Sequence, residues 1–154
     1  MRARKPSPPR EAFISHSARD RKFVKKLAQA LRGQGIRCWY SEAHIRGAQQ
    51  WHDEIGRALN RCDWFLLVLS PHSVQSKWVK RELLFALQED RYTDRIAPIV
   101  RKACDYSNLS WTLASFQMID FVRDFPAGLS ALLRTSGLQE RADRHTGHPR
   151  RFSQ

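Results

Sequence analysis

Six consecutive apolar residues, Trp64-Phe65-Leu66-Leu67-Val68-Leu69, limit what this chain can fold into. A strand points successive side chains to opposite faces, so one that is apolar at every position has to be covered on both. The run is far short of the ~20 residues that a membrane helix needs. It therefore marks the middle of a sheet flanked by helices. Four further runs rich in apolar residues, at 12–15, 36–40, 96–100 and 116–121, alternate with amphipathic stretches at 19–33, 51–61, 77–89 and 126–134. That order predicts a flavodoxin-like α/β three-layer sandwich with a five-stranded parallel sheet, strand order 2-1-3-4-5, joined by right-handed crossovers.

Helix-ending and helix-capping residues fall where this division needs them. Gly33 and Gly35 suit the end of the first helix, Ser70 and Pro71 the end of the third strand, and Ser76 the cap of a helix beginning at Lys77. Residues 105–115 have poor helical periodicity, which leaves the fourth crossover the weakest. The chain reads as a basic disordered leader over 1–10, one domain over 11–138 and a polar tail over 139–154.

The formal charge of +12 is divided equally between the tails and the body. A basic balance favours anionic partners in general. No nucleic-acid-binding module accompanies it, so nucleic acid is not expected as a direct ligand. Cys38, Cys62 and Cys104 lack CxxC spacing and fit reduced core thiols in a cytoplasmic protein. Neither HExxH nor a Cys/His cluster is present, and no metal is expected. No apolar segment suits a secretory signal or a membrane anchor.

In an open sheet of this order the ligand crevice lies beyond the carboxyl ends of strands one and three. The loops there are Ser15 to Asp20 and Ser70 to Ser76. The first has no GxGxxG, no GxxxxGK[ST] occurs anywhere, the third strand ends on Leu69 and Ser70 rather than on a phosphoacceptor aspartate, and GxSxG is missing. The second loop leads into the helix SKWVKRELLFAL. At about 100° per residue, Phe85, Trp78, Glu82, Ala86, Val79, Leu83 and Leu87 share one face of it. Glu82 thus sits inside an apolar arc, and no cation three or four residues away pairs with it. It requires a distant partner or a chemical role.

Phe13-Ile14-Ser15-His16-Ser17 with Asp20, then Gly47, Trp51, Ile55, Ala58-Leu59, Cys62, Ser70 and Ser76-x-Trp78-x-x-x-Glu82 together resemble a bacterial Toll/interleukin-1 receptor (TIR) domain over about residues 11 to 135. The resemblance implies a flavodoxin-like fold and cleavage of NAD+ at the nicotinamide–ribose bond. NAD+ is then the substrate, and no bound cofactor is expected. Glu82 occupies the position of the family's catalytic glutamate. A single carboxylate suffices because nicotinamide departs from a cationic ring as a neutral molecule and needs no general acid, unlike the alcohols of ordinary glycosides. Hydrolysis to ADP-ribose and closure to a cyclic isomer both remain open.

Substrate contacts are expected, with less support, from Ser15, His16, Ser17, Arg19, Trp39, Ile45, Gly47, Trp51, Ser70 and Trp78. His16 can equally bond to backbone, and Trp51 reads more readily as a core anchor at the start of its helix than as a ring contact. Asp53 and Glu54 have Arg57 at helical spacing and read as solvated ion pairs. The resemblance further implies TIR–TIR self-association, filaments included, and a separate sensor protein or nucleotide activator, within bacterial anti-phage immunity. It carries two departures: Arg46 stands where receptor and adaptor members have proline before Gly47, and Val79 follows Trp78 where bacterial members often have cysteine. A noncatalytic TIR–TIR signalling module and an enzyme for another N-glycosidic substrate are the competing readings.

Overall fold

The computed structural model describes residues 9–41 and 48–137, with side chains from residue 52 onward in the second span. Five parallel strands, β1 (Glu11–Ser15), β2 (Arg37–Trp39), β3 (Trp64–Leu69), β4 (Ile96–Val100) and β5 (Ile119–Asp120), form one sheet in the order β2-β1-β3-β4-β5. Four helices cover it: α1 (Arg21–Gly33), α2 (Ala48–Arg61), α3 (Lys77–Gln88) and α4 (Phe125–Thr135). This is the expected flavodoxin-like three-layer arrangement.

The apolar run 64–69 behaves as its composition demands. Trp64, Leu66 and Val68 pack with Val24, Leu27 and Leu31 of α1 and Leu132 of α4. Phe65, Leu67 and Leu69 face the other way, against Ile55, Ala58 and Leu59 of α2 and Val79, Leu83 and Ala86 of α3. All six are buried, none more than 3% exposed. Two separate cores therefore hang on one strand, and an apolar side chain at every position of β3 is what joins them.

Differences from expectation lie at edges and connections. Residues 18–20 wind a short 3-10 turn, so α1 begins at Arg21 rather than at 19. The fifth strand, expected over 116–121, keeps only Ile119 and Asp120, which pair with Ile99 and Val100 of β4. Residues 105–115 form two 3-10 turns, Tyr106–Asn108 and Trp111–Ser115, with Leu109 and Leu113 plugging the core. Pro98 sits within β4 on a stretch that β5 does not reach, an edge position where the missing amide is tolerated.

The predicted leader and tail fall almost wholly outside the described residues, as do Ile45, Arg46 and Gly47. Among the described residues no helix is long and apolar enough to cross a membrane, and no group of His, Cys, Asp and Glu gathers for a metal.

Candidate active site

β1 and β3 are neighbours and both run toward the same crevice, with Ser15 paired to Leu67. Ser15 ends β1. Its backbone alternation turns Phe13 into the α2–α3 core and Ile14 into the α1–α4 core, so Ser15 points to the same side as Phe13. That is the side from which α3 presents Glu82. Ser15 Oγ donates to Glu82 Oε1 at 2.9 Å, and both residues are buried, 1% and 8% exposed.

α3 is launched by Ser76, whose hydroxyl accepts from the Val79 amide at 3.3 Å and caps the first turn. The cap fixes the helix phase that brings Val79, Glu82, Leu83 and Ala86 inward. Burial then pushes the Glu82 carboxyl up to about 8, against the opposing effect of the Ser15 hydrogen bond. No other hydrogen bond reaches this carboxylate among the described residues. A buried acid with one neutral partner is costly unless it serves a purpose.

A cavity of about 480 Å³ opens beside it between α2 and α3. Its walls are Ile55, Leu59, Trp78 and Phe85, with His52, Asn60, Arg81 and Glu82 as the polar groups. Arg81 lies over the Trp78 ring at 5.2 Å, and His52 approaches the same ring at 6.2 Å. The cavity thus presents one acid, an aromatic face and apolar walls, a combination suited to a flat heterocycle joined to a polar sugar.

A second buried carboxylate, Asp20, braces the crevice from behind. Ser70, at the end of β3, donates to Asp20 Oδ2 at 2.5 Å, and Arg101, just past β4, donates to Asp20 Oδ1 at 2.6 Å. Ser70 and Ser73 also interlock: the Ser70 amide donates to the Ser73 hydroxyl at 2.9 Å and the Ser73 amide to the Ser70 hydroxyl at 3.1 Å. The bonding is reciprocal between the two strands. The serine ending β1 holds the carboxylate beyond β3, and the serine ending β3 holds the carboxylate beyond β1. Arg101→Met would leave the fully buried Asp20 carboxylate with the Ser70 hydroxyl as its only partner among the described residues. We expect it to lower unfolding free energy by about 3 kcal/mol, the low end of the usual range because the arginine side chain is 35% exposed. Urea denaturation measures this, and a loss below about 1 kcal/mol would mean that water replaces the guanidinium.

Of the residues singled out from sequence, the fold brings Ser15, Trp78 and Glu82 together. His16 is half-buried, with a ring nitrogen 3.2 Å from the Ile14 carbonyl and its ring edge-on to Tyr40. Ser17 accepts from the Arg19 amide at 3.4 Å and caps the turn that follows, and Arg19 is exposed. Trp39 stacks on Phe13 at 5.1 Å at the root of the loop after β2. Ser70 turns its hydroxyl to Asp20. Ile45, Gly47 and the Trp51 side chain lie outside the described residues. Asp53 and Glu54 are exposed on α2.

Four polar groups of the cavity and the crevice were not singled out from sequence: His52, Asn60, Arg81 and Arg101. His52, Ile55, Gly56, Leu59 and Asn60 recur at helical spacing along one stripe of α2, a signal that was available. Nothing in sequence links Arg101 to Asp20.

A carboxylate buried where β1 ends, beside a cavity between α2 and α3, is the candidate site of a five-stranded parallel α/β domain. The chain belongs to the TIR domain family, whose profile matches residues 12–133. It is 35% identical over 99 residues to the NAD(+) hydrolase PdTIR of Paracoccus denitrificans, covering 62% of this chain and 33% of that protein. It is 32% identical over 72 residues to the 2' cyclic ADP-D-ribose synthase BtTIR of Bacteroides thetaiotaomicron, covering 46% and 25%. These matches span a third or less of the length of either relative. The TIR domain of the Toll-related receptor TRR-2 from Hydra magnipapillata superposes with a TM-score of 0.66 at 18% identity, over 82% of this chain and 97% of that one, a likeness of fold.

Proposed function

We propose that this chain is a TIR NAD+ nucleosidase in which Glu82 is the catalytic carboxylate. The observation that carries the reading is Glu82 itself, buried, held among the described residues only by Ser15, and lining a cavity with apolar walls between α2 and α3. Membership in a family whose bacterial relatives include an NAD(+) hydrolase and a cyclic ADP-ribose synthase supports it.

The glycosidic C–N bond breaks with its electron pair going to the ring nitrogen, so that nicotinamide leaves uncharged. Positive charge moves to the ribose. Ionised Glu82 stabilises it as a fixed counter-charge in a site of low polarity, where such a charge acts strongly. Water then adds to the sugar and loses a proton, giving ADP-ribose, or an atom of the same nucleotide closes the ring. Trp78 and the apolar walls exclude bulk water from the departing base.

Self-association completes the site in this reading, and a separate sensor or nucleotide triggers it during cytoplasmic defence against phage. The test is to incubate the purified protein with NAD+ and measure free nicotinamide by chromatography, dilute and under crowding. We expect release, with more product per molecule under crowding. Intact NAD+ in every condition, with assembly demonstrated, would instead favour the noncatalytic signalling module.

A further inference from the structure

We infer that Ser15 is a positioning residue for this site, holding Glu82 by Oε1 so that Oε2 is the oxygen offered to the sugar of the substrate. The identity of that sugar rests on the function proposed above; the placement rests on geometry alone.

Ser15 cannot drift. It closes a strand whose register to β3 is fixed at Leu67, and it is 1% exposed. Glu82 by contrast has a long side chain with several rotamers, and a catalytic carboxylate must be held close to its productive orientation to act. The 2.9 Å bond from Ser15 Oγ to Oε1 is the only hydrogen bond to it among the described residues. The other polar groups of the cavity, His52 and Asn60 from α2 and Arg81 from α3, line the same space without bonding to it. Asn60 turns its amide to the Gly56 carbonyl at 2.9 Å, and Arg81 covers Trp78. Glu82 is one of the cavity's lining residues, and its Oε2, which has no hydrogen bond among the described residues, keeps its acceptor capacity for a ligand. The same bond favours the ionised carboxylate against the effect of burial.

The inference is tested by following the Glu82 side-chain carboxyl by carbon-13 NMR across pH, beside kcat and KM for nicotinamide release, in the wild type, Ser15→Ala and Ser15→Thr. Ser15→Ala is expected to move the carboxyl midpoint upward by about one pH unit. It should lower kcat by about tenfold or more while KM for NAD+ changes by less than about twofold. Ser15→Thr keeps the hydroxyl and should return both toward wild type. An unchanged midpoint in Ser15→Ala overturns the inference. A raised KM with unchanged kcat overturns it too and assigns Ser15 to substrate binding. Should no form release nicotinamide, the proposed activity has failed, and the carboxyl titration still decides the role of Ser15.

Discussion

Glu82→Gln is expected to slow nicotinamide release by at least about 100-fold, the usual cost of losing a preorganised electrostatic group, while leaving the fold and any assembly intact. Gln keeps the shape of the side chain, and its amide oxygen can still accept from Ser15. What it loses is the negative charge. The pH dependence sharpens the test. In the free protein burial holds the Glu82 carboxyl at about 8, so kcat/KM, which reports the free enzyme, should rise with pH through that region. Bound NAD+ brings a pyridinium cation next to the carboxylate and favours its ionised form. The acid limb of kcat should therefore lie at lower pH than that of kcat/KM. A correctly folded, equally assembled Gln variant that releases nicotinamide at the wild-type rate removes Glu82 from the chemistry.

The fold was legible where side-chain burial determines conformation. β3 had to be central because all six of its residues are apolar, and Ser76 had to cap α3 because a cap was needed just there. It was less legible where pairing partners set the ends. Phe116 and Met118 read as strand because they are apolar, yet the pairing with β4 begins only at Ile119, past the position opposite Pro98, which has no amide to donate, and they serve as partly buried packing instead. Residues 105–115 were ambiguous because only Leu109 and Leu113 among them are buried, too few for a helical face and sufficient to anchor two turns.

The site divides in a similar way. Glu82 stood out because a carboxylate in an apolar arc contradicts the pattern around it, and a contradiction within one helix can be read without tertiary structure. Ser15 and Ser70 read as substrate contacts because they end strands at the crevice. The structure gives both hydroxyls to buried carboxylates 67 and 50 residues away. Asp20 belongs to the family motif, but its pairing with Arg101 spans 81 residues. No local periodicity records a contact of that separation.

The same burial that suits Glu82 to the chemistry should destabilise the protein, and Glu82→Gln should expose the cost. In the unfolded chain this carboxyl titrates near 4.5, and in the folded chain near 8. At pH below 4.5 both states are protonated, and the group does not favour either one. Between the two values the unfolded state is ionised while the folded state retains its proton, so stability falls as pH rises, by ~1.4 kcal/mol per pH unit. Above about 8 both are ionised, and the full penalty, on the order of 5 kcal/mol at most, is in place. The Gln variant carries no such term. Its stability relative to wild type should be smallest near pH 4.5, grow through neutrality and level off above pH 8, a gain that few single substitutions reach. Denaturant unfolding of the two proteins across this range isolates the effect, since every other titrating group is common to both. A constant difference from acid to alkaline pH would mean that the folded-state carboxyl titrates at its ordinary value. Glu82 would then be solvated rather than buried, and the electrostatic advantage assigned to it in the reaction would be lost with the stability penalty.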